Sequence, residues 1–307
     1  MSSLQGKVLN AAIKLLTRRR RWGKDERATA RRARRLFGAP PIYQWLRTRG
    51  VRLTQVYEGS VRGEWVAPES FDTAVILYLH GGGFVSCSSA KYRPVTAALA
   101  RFARRRVFVL DYRLAPEHRF PAALDDTVAG YKWLLAQGFP ANLISLAGDS
   151  AGGGLVLSLL LRVRDEGLPL PACVVCSSPW TDLAGTGDSL RLNDGRCAAF
   201  RPENISEFAA AYLADADAFD PYASPVYGDL RGLPPLLLQI GSTELLLDDS
   251  RRVHEKIQAS GGDSALQIYD DVAHGWQMLD GLVPEAADAL RQAADFIRKH
   301  TTNEIKS

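Results

Sequence analysis

Leu143-Ile144-Ser145-Leu146-Ala147-Gly148-Asp149-Ser150-Ala151-Gly152-Gly153-Gly154, followed by Leu155-Val156-Leu157-Ser158-Leu159-Leu160-Leu161, joins three different signals. The first five residues read as a buried strand, and the last seven as the start of a buried helix. Between them stands G-x-S-x-G. Alone that pattern is weak, since this composition supplies it by chance in roughly one chain in seven. Its context makes it informative. A strand-to-helix turn forces the serine into a strained conformation, and glycine two residues to either side lets strand and helix pass closely. The N-terminus of the helix then directs partial positive charge at whatever Ser150 attacks.

A second glycine stretch repeats the strand-end placement. Val75-Ile76-Leu77-Tyr78-Leu79 is a continuous apolar run, and His80-Gly81-Gly82-Gly83-Phe84 follows it directly. Successive glycines allow a tight bend and leave bare N–H groups facing a ligand. Acyl transfer needs such donors to hold a developing oxyanion. Gly81, Gly82 and Gly83 are therefore candidate donors, with the Ala151 N–H directly after the serine as the other half of the hole. A plain glycine-rich loop is the bland alternative. A His-Gly-Gly-Gly run arises by accident in about one chain in several hundred of this composition, which favours the functional reading.

Outward from these motifs, apolar runs alternate with helical patterns. Val51 to Ala67 suggests a hairpin turning at Glu58-Gly59-Ser60. Strands are expected at 75–79, 107–111, 143–147, 172–178, 236–240 and 265–269. Helices are expected near 91–104, 122–136, after Ser150, 248–260 and 284–299. This alternation predicts an α/β fold whose eight-stranded, mostly parallel sheet is covered by helices on both faces. Reactive groups should gather beyond the carboxyl ends of the strands, where both glycine motifs lie. Residues 1–45 read as two helical segments separated near Gly23.

Composition sets the outer limits. The 307 residues are 46% hydrophobic and 23% charged, ordinary for one large globular domain with an appendage. No run of 18 apolar residues suggests a transmembrane helix. Arg18 to Arg21 interrupt the N-terminus too early for a secretory leader, so a cytoplasmic location is expected. Cys87, Cys173, Cys176 and Cys197 read as buried free thiols; no spacing suggests zinc. Residues 1–50 carry 14 Lys/Arg against 2 Asp/Glu, a charge of +12, leaving −8 on the remainder. That head contains Leu4, Val8, Leu9, Ala12, Ile13, Leu15 and Leu16 at helical spacing. A solvated helix whose arginines pair with the acidic body is preferred over a membrane-surface patch. Without interleaved aromatics, nucleic-acid binding is not expected.

The two motifs together resemble the hormone-sensitive-lipase-like (bacterial family IV) carboxylesterases of the α/β-hydrolase superfamily. Asp111-Tyr112-Arg113-Leu114-Ala115-Pro116-Glu117-His118 and Asp220-Pro221-Tyr222-Ala223-Ser224-Pro225 are similar to further segments of that family. The resemblance runs from about Thr73 to about His274. It implies the α/β-hydrolase fold for 46–182 and 218–307, with two helical cap segments, 1–45 and 183–217. It also implies the chain order serine, acid, histidine. Of five histidines, His80 belongs to the glycine motif, His118 precedes the serine, His254 lies mid-helix among charges, and His300 lies in the charged tail. His274 follows the last strand, where the order puts the base. In the family the acid stands three residues after the glycine ending the penultimate strand, usually as Asp; here that position is Glu244. Asp248 is the alternative acid, and otherwise a cap for the helix that follows.

The remaining carboxylates get structural readings: Asp149 points away from the elbow, Asp111, Glu117, Asp125 and Asp182 make ion pairs or turn bonds, and Asp220 braces its loop. Phe84, Phe200 and Trp276 are candidate pocket-lining residues by position alone. The resemblance implies hydrolysis of short- to medium-chain esters through Ser150, His274 and Glu244, with no metal or organic cofactor. The partner is then a small-molecule ester, and the family's habits allow a homodimer through the last strand's edge. Two rival readings remain: a lipase acting at a lipid surface, and a catalytically silent binding protein on the same scaffold.

Overall fold

In the computed structural model, which describes residues 2–17 and 25–301, eight strands form one sheet in the order β1-β2-β4-β3-β5-β6-β7-β8. β1 (Val51–Glu58) and β2 (Val61–Pro68) make the expected hairpin, and β2 pairs antiparallel with β4 (Arg106–Leu110). β3 (Val75–Leu79), β5 (Ile144–Asp149), β6 (Cys173–Ser177), β7 (Leu236–Gly241) and β8 (Ser264–Tyr269) continue the sheet in parallel. Every residue of β3, β5 and β7 is buried, as a strand covered on both faces requires.

The period-two alternation of each strand assigns its side chains to opposite layers. Ile76 and Tyr78 face α4 (Ser89–Ala103) and α10 (Pro284–His300), packing with Val95, Leu99, Leu290 and Ile297. Leu77 and Leu79 face the other way. They pack with Leu124 and Tyr131 of α5 (Ala122–Ala136) and with Leu155 and Leu159 of α6 (Ala151–Asp165), in a layer that also holds Val253 and Ile257 of α9 (Leu247–Ala259).

Two stretches stand outside this frame. The N-terminal one forms α1 (Leu4–Thr17), α2 (Glu26–Leu36) and a third helix, α3 (Pro41–Arg47), which the sequence reading did not anticipate and which runs past residue 45. Pro at its first position, with φ already suited to a helix, starts α3 despite the preceding Pro40. The insertion after β6 forms α7 (Ser189–Leu192) and α8 (Pro202–Leu213). The stretches meet through Phe37, whose ring lies 6.0 Å from Phe200 and 6.1 Å from Phe208.

Ion pairs fix the head as its charge asymmetry suggested: Arg34 with Glu117, Arg47 with Asp280, and in reverse Glu26 with Arg119. Arg18 to Arg21 lie outside the described residues. α1 departs from a fully docked amphipathic helix. Leu9 packs inward, whereas Leu4, Val8 and Leu15 remain exposed.

Candidate active site

The elbow is built as its glycines require. Ser150 has φ 52° and ψ −124°, a region that costs a non-glycine residue on the order of 1–3 kcal/mol. A Cβ on Gly148 would meet the Gly152 carbonyl at 2.7 Å, and one on Gly152 would strike the Leu79 carbonyl. The strained turn is clamped by the Ser150 N–H donating to Ser177 O at 2.9 Å and the Trp180 N–H donating to Ser150 O at 2.9 Å.

Three peptide planes orient the loop 80–83, because a trans peptide turns each C=O away from the next N–H. Tyr112 donates to the His80 carbonyl, so the Gly81 N–H faces the opposite side. There it donates to Asp149 Oδ1 at 3.1 Å and Tyr92 Oη at 3.0 Å. Next, the Gly81 carbonyl accepts from His80 Nδ1 at 2.8 Å, which fixes that tautomer and turns the Gly82 N–H away. The Gly82 carbonyl then accepts from the N–H groups of Val85 and Ser86 and from Ser86 Oγ. The N–H groups of Gly82, Gly83 and Ala151 donate to no acceptor among the described residues. Gly82 and Gly83 sit at φ 115° and 64°, and side chains rarely adopt such values. The donor set expected from sequence is thus corrected: Gly81 is committed inside the protein.

At the far end of the sheet, Glu244 is buried beyond β7. Its Oε1 accepts from the Gly241 N–H and Ser178 Oγ, each at 2.7 Å, while Oε2 lies 2.5 Å from His274 Nδ1. A carboxylate can only accept, so Nδ1 carries the hydrogen and Nε2 is left as the basic nitrogen. Burial alone would depress the His274 pKa. The Glu244 charge and hydrogen bond, helped by Asp149, outweigh it, and the net shift is upward. Ser150, His274, Gly82 and Gly83 line one cavity of about 660 Å³. Its other walls are mostly apolar: Ile13, Leu36 and Phe37 from the head, Phe200 and Phe208 from the insertion, and Leu246, Met278 and Leu279 beyond β7 and β8.

The family described as alpha/beta hydrolase fold matches residues 76–278. The chain belongs to that family. A Streptomyces hygroscopicus protein named acetyl-hydrolase is 41% identical over 81% of this chain and 83% of its own length. An Acinetobacter venetianus esterase is 36% identical over 85% and 84%. Among solved structures, an esterase/lipase from an uncultured bacterium superposes with a TM-score of 0.89 at 37% identity, over 98% of this chain and 99% of the other. An esterase of the bacterial hormone-sensitive lipase family gives 0.86 at 38%, over 98% and 100%. This α/β-hydrolase is a hormone-sensitive-lipase-like carboxylesterase, and it hydrolyses carboxylic esters.

Several single-residue expectations for the esterase need correction. Phe84 does not line the cavity: it is buried, stacked on Tyr212 at 3.9 Å and tilted against Trp180. Trp276 is likewise in the core beside Tyr269, its indole N–H donating to Glu285 O. Phe200 does line it, edge-on to His274 at 5.2 Å. Asp248 caps no helix of its own. Its Oδ2 accepts from the Ser189 N–H at 2.8 Å, tying α9 to the insertion. His254 is not simply solvated, since Nδ1 meets Ser264 Oγ at 2.8 Å. Cys173, Cys176 and Cys197 are buried free thiols, but Cys87 is half-buried and borders the cavity.

Other structural readings hold. Asp111 accepts from the Ser89 N–H and hydroxyl, Asp182 pairs with Arg252, and Asp220 accepts from the Tyr222 N–H. Asn193 was missed. Buried in the insertion, its amide donates to the Glu244 carbonyl at 2.8 Å and so braces the loop carrying that acid. Nothing in the sequence distinguishes it from any other loop asparagine.

Proposed function

We propose that this enzyme cleaves short- to medium-chain carboxylic esters through Ser150, His274 and Glu244, by way of an acyl-enzyme. Ser150 Oγ attacks the ester carbonyl carbon as His274 Nε2 takes its proton. The carbonyl oxygen becomes an anion and accepts from the Gly82, Gly83 and Ala151 N–H groups. Collapse breaks the bond to the alcohol oxygen, which takes the proton from His274. Water then attacks the acyl carbon, again giving its proton to His274, and Ser150 leaves with that proton as the acid is released. Glu244 keeps the imidazole in the useful tautomer and stabilises its cation. The segments 1–45 and 183–217 act as a cap, and the acyl chain lies along their aromatic and aliphatic walls.

The observation that carries this reading is the 2.5 Å contact from Glu244 Oε2 to His274 Nδ1, with His274, the strained Ser150, Gly82 and Gly83 lining one cavity. A silent binding protein would not need that whole set together. The test is turnover of p-nitrophenyl esters from acetate to dodecanoate. Ser150→Ala should lose about a million-fold in kcat, and Glu244→Gln about ten-thousand-fold. Asp248→Asn, which loosens the Ser189 tie and the pairing with Arg251, should stay within about tenfold of the parent. The kcat/KM profile should fall on the acid side with an inflection above the usual histidine value of about 6.5, because the protonated imidazole cannot act as base. In Glu244→Gln the residual activity should show that inflection moved down. Near-normal turnover by Glu244→Gln, with Asp248→Asn inactive, would exchange their roles.

A further inference from the structure

Two helices that border the cavity, α1 through Ile13 and α3 through Tyr43, carry exposed apolar faces. On α1, Leu4, Val8 and Leu15 lie on one exposed face together with Ala11 and Ala12, spaced 4, 7, 8 and 11 residues from the first. On α3, Ile42, Trp45 and Leu46 form a second exposed face. Both flank the segment 271–285. α1 is tied to it through Ser3 with Glu285 and Asn10 with Asp271. α3 is tied to it through Tyr43 with the Met278 carbonyl. Leu36 and Leu282 are exposed too, and both line the cavity. These eight side chains are 42–76% exposed. Scattered exposed leucines are normal, but their concentration on neighbouring elements that border one cavity marks a surface for another apolar phase or partner.

Charge selects among partners. α1 carries Lys7 and Lys14 and no acid, while Arg35 and Arg49 are exposed beside Leu36 and Trp45, Arg49 stacking over the Trp45 ring at 4.2 Å. Arg31 is exposed one turn before Arg35 on α2. The three acids of the segment 271–285 are engaged: Asp271 accepts from Asn10, Asp280 pairs with Arg47 and Glu285 accepts from Ser3. A second copy of the chain would bring the same positive rim against itself. An apolar face with basic residues around it is the pattern of a helix lying in the interface of an anionic membrane.

We propose that the exposed faces of α1 and α3, with Leu36 and Leu282, dock on an anionic lipid surface and present the cavity mouth to esters held in it. The docking needs no catalysis; only its use rests on the esterase reading. The probe is full-length protein sedimented with vesicles of phosphatidylcholine alone or mixed with phosphatidylglycerol, at low and high salt. Binding should favour the anionic vesicles by at least about tenfold and weaken as salt rises. The combined variant Val8→Asp, Leu15→Asp, Trp45→Asp should lose at least about tenfold in vesicle binding. Its hydrolysis of a soluble short-chain p-nitrophenyl ester and its thermal midpoint should stay close to the parent's. No binding to either vesicle, or equal binding by parent and variant, overturns the proposal. So does a dimer in sedimentation velocity that the variant dissolves without any vesicle binding, because the face then belongs to a second copy. Failure of the parent to hydrolyse the soluble ester would instead remove the esterase reading and leave the binding result standing.

Discussion

Asp149, beside Ser150, is the residue whose neighbours change its meaning. Its carboxylate accepts from Tyr78 Oη, Tyr92 Oη and the Gly81 N–H, at 3.0, 2.7 and 3.1 Å, while burial pushes its pKa up. It thereby sets the peptide plane from which the Gly82 and Gly83 N–H groups take their directions, a positioning role for the oxyanion loop. Asp149→Asn keeps the shape but turns one acceptor into a donor facing a tyrosine hydroxyl or the Gly81 N–H. We expect kcat to fall by roughly tenfold or more, a fraction of what losing a whole donor costs, with KM within about twofold. Tyr92→Phe, which leaves the carboxylate in place, should fall less. If Asp149→Asn changed KM and left kcat alone, Asp149 would be acting on the pocket and not on the hole. Sequence could say that Asp149 points away from the serine. It could not say toward what, because Tyr78 and Tyr92 lie 71 and 57 residues away. Phe84 and Trp276 failed for a related reason: adjacency to a motif gives no direction to a ring. The place of Ser150 was legible from the apolar run of β5, whereas His274 and Glu244 were named through the family resemblance, and the structure brings those two side chains into contact.

At the level of elements, the strands were readable nearly to the residue, since short, largely apolar runs bounded by glycine or polar residues leave little choice of boundary. α3 was not, because Pro40-Pro41 reads as a breaker until the second proline is seen to occupy a helix's first position. The stem of the insertion was opaque too. Thr181 and Asp182, which lead from β6 into it, are held by Asp249 of α9, whose Oδ2 accepts both of their N–H groups. Burial pushes the Asp249 carboxyl up to about 7, the two N–H donors opposing and the neighbouring Asp182 charge assisting. Asp182 is itself paired with Arg252. A carboxyl raised in the folded state stabilises fully below its unfolded value of about 4, and that contribution is lost as pH rises through about 7. Asp249→Asn removes the titration and keeps an oxygen acceptor. Urea unfolding at about pH 5 and about pH 8 should therefore show the parent losing stability relative to the Asn variant at the higher pH. A parent-to-variant difference equal at both values would mean that Asp249 ionises normally.

On the scale of the whole molecule, the cavity is a joint product of distant parts of the chain. Ile13, Leu36, Phe37 and Tyr43 come from the head, Phe200 and Phe208 from the insertion, and His274 to Leu282 from the segment after β8. Removing residues 1–40 should leave the sheet folded, since among the described residues no strand begins before Val51. The same truncation strips one wall. The measurable outcome is a flattened acyl-chain preference in the ester series, together with increased binding of an apolar dye. An unchanged preference would place the acyl chain against the insertion alone.

The head's attachments carry one more consequence, for how the protein is made. Ser3 binds Glu285 and Asn10 binds Asp271, partners 282 and 261 residues further along. A ribosome adding 5–20 residues per second delivers those partners on the order of 10–60 s after the head has emerged. Through that interval α1 lacks its partners Asp271 and Glu285, and its apolar side is open to whatever lies near the ribosomal exit. A nascent chain stalled before Asp271 should accordingly be bound by holdase chaperones through its first seventeen residues, and release of the finished chain should end that binding.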